Sequence, residues 1–169
     1  MKKLLIFLFI FSLYAKDLTT KVGDLVQIII PSVAYGSTLY LKDKSGEIEF
    51  YKSFATNEII TYGLKYSINK KRPNGGEHSF PSGHTSASFQ GATFIHKRYG
   101  LKYAIPAYIG ASFVGYSRIK AKVHYPIDVV TGALIGSMSS CYFTTKYKKV
   151  EIKPIIDVSN YGIEIIKKW

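Results

Sequence analysis

Two of the four histidines in this 169-residue chain stand among neighbours that give imidazole chemistry a purpose. Pro81-Ser82-Gly83-His84 reads as the opening of a helix. Free backbone N–H groups and the positive end of the helix dipole favour an anion at such a place. Gly83 lets the backbone approach an oxyanion, the Ser82 hydroxyl adds a donor, and His84 is set to give or take a proton beside it. A second block runs from Ser117-Arg118 through His124 to Asp128. A carboxylate four residues after a histidine can hold one ring nitrogen and leave the other free for attack, with histidine as the nucleophile. A third block is Lys65 with Arg72-Pro73; seven residues is close to two helical turns, so both cations are expected on nearly one face. Each block alone also fits an ordinary cap or a solvated basic stripe.

These residues need a scaffold that gathers positions 65 to 128. Phe50, Phe54, Ile60, Leu64 and Ile68 recur near helical spacing, which predicts an amphipathic helix over 49–69. Arg72-Pro73 would stop it, because a residue before proline is pushed out of the α region. Asn74-Gly75-Gly76 reads as a loop. Further helices are expected from Pro81-Ser82 to about Tyr99, over Tyr103 to Tyr116, and over Pro126 to Phe143, where Pro126 suits a first turn. Ahead of them, Val22 to Leu41 is mostly apolar, interrupted by Asp24 and Pro31, and ends in a charged turn from Lys42 to Gly46. The tail, 146–169, alternates apolar and polar residues around a turn at Ser159 to Gly162, which predicts a β-hairpin with Pro154 on an edge. The expected fold is all-α, a compact bundle of about five helices with a small C-terminal β-hairpin.

Lys2 and Lys3 precede an apolar run from Leu4 to Leu13, with Ala15 at its exit. This describes a secretory signal peptide over residues 1–15, the other reading being an uncleaved anchor. With 47% apolar residues the chain can form a core, and a lone Cys141 excludes a disulfide scaffold. The net charge of +12 points to an anionic partner: nucleic acid, a membrane surface or a phosphorylated substrate. Two placements fit the semi-polar helices, a soluble periplasmic bundle and a short-helix bundle seated in the membrane.

Taken together, K-x6-R-P (Lys65 to Pro73), P-S-G-H (Pro81 to His84) and S-R-x5-H-x3-D (Ser117 to Asp128) resemble the signature of the type 2 phosphatidic acid phosphatase (PAP2) superfamily. That superfamily includes lipid phosphatases, bacterial nonspecific acid phosphatases and vanadium haloperoxidases. The resemblance covers roughly residues 20 to 145, within an expected phosphatase domain of 16–145. It implies that His124 attacks phosphorus to form a phosphohistidine, that Asp128 orients it, and that His84 protonates the leaving oxygen and then activates water. Lys65, Arg72 and Arg118, with Ser82 and the backbone at Gly83, would hold the phosphoryl oxygens. No metal and no cofactor are implied, and no protein partner. Export and the lack of a nucleic-acid motif speak against nucleic acid. The implied protein is an exported phosphatase at the periplasmic face of the inner membrane or in the periplasm, acting on a phosphorylated lipid or a small phosphoester. The alternatives are a vanadium-dependent haloperoxidase, a lipid phosphotransferase and a non-catalytic anion- or membrane-binding module.

Overall fold

A computed structural model describes residues 2–147, 150–157 and 160–167, with side chains from 18 to 147. Its body consists of five helices: α1 (Lys2–Tyr40), α2 (Lys44–Ile68), α3 (Gly83–Tyr99), α4 (Leu101–Lys120) and α5 (Pro126–Phe143). Both bounds of α5 fall where the sequence places them. For α3 the Ser82 start and the Gly100 stop do so as well.

The first helix is longer than its sequence suggests, running unbroken through Pro31. A proline there removes one hydrogen bond. The helix is held by packing instead: a Cβ on Gly91 of α3 would meet the backbone N of Pro31 at 2.9 Å, so the two helices touch main chain to main chain. The expected charged turn at 42–46 is shorter, because Asp43 caps α2 by accepting from the Gly46 N–H at 3.1 Å and draws Lys44 to Gly46 into the first helical turn.

Helix α3 lies at the centre, packed against the other four. Its closest partner is α5, along a seam of two glycines: a Cβ at Gly132 would strike the Ser82 carbonyl oxygen at 2.5 Å, and one at Gly136 the Gln90 N at 2.8 Å. Small residues four apart bring helix backbones into direct contact in this way. The seam ties the start of α5 to the start of α3, where the Ser82 N–H donates to the Asp128 carbonyl at 2.9 Å.

The distribution of polarity is inverted relative to a water-soluble bundle. Ser53, Asn57 and Thr61 of α2, Ser86 and Gln90 of α3, and Ser140 of α5 are buried. They bond to one another across helices: Thr61 to Ser86, Ser86 to Asn57, and Gln90 Nε2 to Ser53 at 2.9 Å. Outward faces carry Leu25, Ile29 and Val33 on α1, Ile105 and Ile109 on α4, and Val130, Leu134 and Met138 on α5, all exposed.

At the far end from the histidine motifs, Arg98 of α3 closes the bundle. Its Nε donates to Asp43 Oδ2 at 2.7 Å, its Nη2 to Ser45, and its Nη1 to Glu49 and to the Thr145 carbonyl at 3.0 Å. One guanidinium thereby joins the α1–α2 turn, α2, α3 and the chain leaving α5. Beyond it the backbone runs as β1 (Val150–Asp157) and β2 (Asn160–Lys167) in antiparallel register; of the turn expected at Ser159 to Gly162, Asn160 to Gly162 instead belong to β2, paired with Ile155 to Asp157, and residue 159 lies outside the described residues.

Candidate active site

The opposite end of the bundle gathers the last turn of α2, the first turns of α3 and α5, and the last turn of α4. A cavity of about 730 Å³ opens there, and Lys65, Arg72, Gly83, His84, Arg118 and His124 all line it.

Lys65 and Arg72 reach the cavity from different elements, not from one helix face. Asn69 takes a left-handed conformation (φ 42°, ψ 46°) and ends α2 at Ile68, so Arg72 arrives on the following loop. That loop is braced by Arg72 itself, whose Nε donates to the Glu77 carbonyl at 2.9 Å and whose N–H donates to the Gly76 carbonyl at 2.6 Å. Lys65 Nζ donates to the carbonyls of His78 at 3.0 Å and Pro81 at 2.8 Å, both neutral acceptors.

His124 sits in the 121–125 connection and is 4% exposed. Its Nδ1 has no hydrogen-bond partner and faces Asp128 Oδ2 at 3.8 Å. The direct bond expected from the spacing is absent, and the carboxylate is held by other donors. Its Oδ1 accepts from Lys70 Nζ at 2.8 Å, and its Oδ2 from the Ser79 hydroxyl at 2.5 Å and the Tyr125 N–H at 2.9 Å. Lys70 is steadied in turn by the Tyr125 ring, 4.4 Å from its Nζ. Asp128 is therefore a fixed anion behind the imidazole, held by residues that spacing did not reveal.

Burial disfavours the charged imidazole of His124, and the Lys65 and Arg72 cations add to this, bringing it down from 6.5 to about 4 despite the opposing pull of the Ser79 carbonyl and Asp128. The ring is neutral at pH 7, as a nucleophile must be. The native chain binds fewer protons here than the unfolded one between about pH 4 and 6.5, so this group's stabilisation is complete above 6.5 and is lost as pH falls through that window. An NMR titration of ring-labelled histidine is expected to find His124 changing charge near 4, well apart from an unperturbed histidine.

Ser82 does not face the cavity. As the residue preceding α3 it is fully buried, and its hydroxyl pairs with Thr85 Oγ1 at 2.9 Å. The cavity meets the Gly83 backbone instead. A residue the spacing missed does reach the site: Asp24 of α1, whose Oδ1 lies 3.1 Å from His84 Nε2 and accepts from Arg118 Nη1 at 2.6 Å. The signal for it was present, since Asp24 is the one acidic residue between Val22 and Leu41, and an ionisable side chain in an apolar stretch marks function by default.

Away from the cations the cavity continues between α1 and α2. Ile28, Pro31, Phe50 and Phe54 form apolar walls, and Gln27 and Glu58 place polar groups among them. Among the described residues, no three His, Cys, Asp or Glu side chains converge as a metal site would require.

A family model, the PAP2 superfamily, matches residues 5–151. A lipid A 4'-phosphatase of Helicobacter pylori is 26% identical over 168 residues, covering 88% of this chain and 84% of that protein. A lipid A 1-phosphatase of Porphyromonas gingivalis is 43% identical over 76 residues, which is 43% of this chain but 17% of that longer protein. Among solved structures, the crystal structure of Aquifex aeolicus LpxE superposes with a TM-score of 0.57 at 26% identity, over 75% of this chain and 92% of that one.

Proposed function

Since this chain belongs to the PAP2 superfamily, we propose that it is a phosphatase that removes phosphate from phosphorylated lipids through a phosphohistidine intermediate. The observation that carries this reading is the meeting of both histidines with Lys65, Arg72 and Arg118 around one cavity. The three cations and the Gly83 backbone hold the phosphoryl oxygens and offset charge as it develops. The Nε2 lone pair of neutral His124 attacks phosphorus, the ester P–O bond breaks, and protonated His84 gives its proton to the leaving oxygen. Water then attacks phosphorus, its proton passes to His84, the P–N bond breaks, and phosphate departs. Asp128 supports the imidazolium-like charge on His124 at a distance, its other contacts keeping it in place.

A lipid substrate is supported by the apolar walls between α1 and α2 and by the inverted polarity of the bundle, which suits helices seated in hydrocarbon. Residues 18 to 40 of α1 are long and apolar enough to cross a membrane. Relatives named for the 1- and 4'-phosphates of lipid A favour a phosphorylated glycolipid of the envelope. We read residues 1–15 as the signal or anchor segment. Cleavage after Ala15 would leave the new N-terminus on the exported side, at the same end of α1 as Asp24 and the site, so the cavity opens to the periplasmic face. The tail is read as a β-hairpin at the opposite end.

The test is phosphate release by the detergent-solubilised protein, with chelator present, from soluble esters, phosphatidate, an isoprenyl pyrophosphate and lipid A. Chelator-resistant, vanadate-sensitive release with the glycolipid preferred is the expected result. Phosphate appearing on an added acceptor lipid instead of in water would replace hydrolysis by transfer. No consumption of any ester by folded protein would overturn the reading.

A further inference from the structure

We propose that Asp24 is the positioning residue for His84, giving the acid–base histidine a carboxylate of its own. The inference rests on the phosphatase reading of the site and deepens it. One carboxylate oxygen, Asp24 Oδ1, lies 3.1 Å from His84 Nε2 and 2.6 Å from Arg118 Nη1, so a single atom sets both the acid and one phosphoryl clamp in register.

The placement of Asp24 is built into the fold. Arg118 reaches past it to the Thr20 carbonyl, 2.9 Å from Nη2, and so grips α1 on both sides of the preceding turn. A Cβ on the adjacent Gly23 would meet Arg118 Nη2 at 2.7 Å and the Ser117 Cβ at 2.9 Å, so α1 seats here only because residue 23 has no side chain. The groups around His84 are otherwise cationic or neutral: Arg118 from α4, Lys65 from α2, and Arg72 and His124 on the same cavity wall. Among the described residues lining or touching this end, Asp24 is the anion that meets the His84 ring directly.

With Nε2–H committed to Asp24, the neutral ring carries its lone pair on Nδ1. That atom is then the base that takes the proton of water in the second half-reaction. When the ring is protonated, Nδ1–H is the acid that meets the leaving oxygen in the first. Without the carboxylate the ring is free to turn or to change tautomer, and both proton transfers suffer. Attack by His124 on a substrate whose leaving group departs without a proton loses only what the Arg118 clamp loses.

Asp24→Asn and Asp24→Ala, compared with wild type, separate these steps through the leaving group. For an alkyl or glycolipid phosphate, kcat is expected to fall about tenfold or more, out of the ~10²–10⁴-fold that a general acid contributes. For p-nitrophenyl phosphate, the rapid first turnover is expected to fall much less than the alkyl-ester rate, by the cost of the loosened Arg118 clamp alone, followed by slow steady turnover as the phosphohistidine waits for its base. Asp24→Glu should recover part of the alkyl-ester rate. Equal losses in the alkyl-ester rate and in the p-nitrophenyl first turnover would reduce Asp24 to a structural strut and overturn the proposal, as would no loss in either. Nitrogen-15 shifts of the His84 ring supply a readout that needs no turnover: wild type is expected as the Nε2–H tautomer and Asp24→Ala as a mixture. An unchanged tautomer overturns the proposal, whereas a wild type that holds the tautomer but hydrolyses nothing overturns the phosphatase reading instead.

Discussion

His124→Ala is expected to lower phosphate release by about 10⁴-fold or more while leaving the thermal unfolding midpoint near that of wild type. The size of the loss follows from what is removed. Lys65, Arg72 and Arg118 still bind phosphate in the variant, so affinity for inorganic phosphate changes little, but no side chain remains in line to accept phosphorus. The stability expectation follows from the environment of the ring, which lines the open cavity and has no hydrogen-bond partner at Nδ1, so alanine forfeits little beyond the pull of the Ser79 carbonyl. Wild type quenched during turnover of a phosphorus-32 ester should carry acid-labile, alkali-stable label, and the variant none. Label or turnover surviving in His124→Ala would move the nucleophile elsewhere.

Arg98→Met is expected to do the reverse. Arg98 and Asp43 are both buried, 4% and 0% exposed, and burial alone would push the Asp43 carboxyl up; the Arg98 guanidinium bonded to it outweighs this and holds it below the usual carboxylate range. Removing one partner of a buried pair leaves an uncompensated charge and costs about 3–5 kcal/mol. Detergent-solubilised Arg98→Met should therefore unfold at a markedly lower temperature or denaturant concentration. The fraction that stays folded should keep its kcat, because Arg98 binds the end of the bundle opposite the histidines. Adding Asp43→Asn removes the stranded charge and should restore much of the loss. A full-strength single variant would show that Glu49, Ser45 and the chain leaving α5 hold that end without it.

The family and the helices that gather the three motifs were legible in the sequence because the motifs are short stretches whose geometry is local. Pro126 and Asp128 belong to one helical turn, so His124 had to lie just outside it, and Gly83-His84 had to open a helix that Gly100 closes. What escaped was set by contacts between elements. Asn69 ends α2 earlier than Pro73 requires, which moves Arg72 off the helix face it was assigned, yet still into the cavity. Ser82 looked like an anion donor from its position and instead turns its hydroxyl onto Thr85. Lys70 and Ser79 hold Asp128 from 58 and 49 residues away, and no periodicity records such a pairing. Asp24 was visible only as an interruption in an apolar run, and it acquired a role once α1 lay along α3.

Where Gly132 and Gly136 press against the main chain of α3, even a methyl group has no room. His84 rides on the start of one of these helices and His124 on the connection that leads into the other, while the cleft walls that would meet a headgroup come from α1 and α2, whose side chains line open space. The two regions therefore differ in what they tolerate. A side chain added along the glycine seam has to push two helices apart and with them the ends that carry the site, whereas a change at Gln27, Ile28, Phe54 or Glu58 alters the cleft and leaves that coupling alone. On this plan the part that meets the rest of the substrate can be altered separately from the part that meets the phosphate.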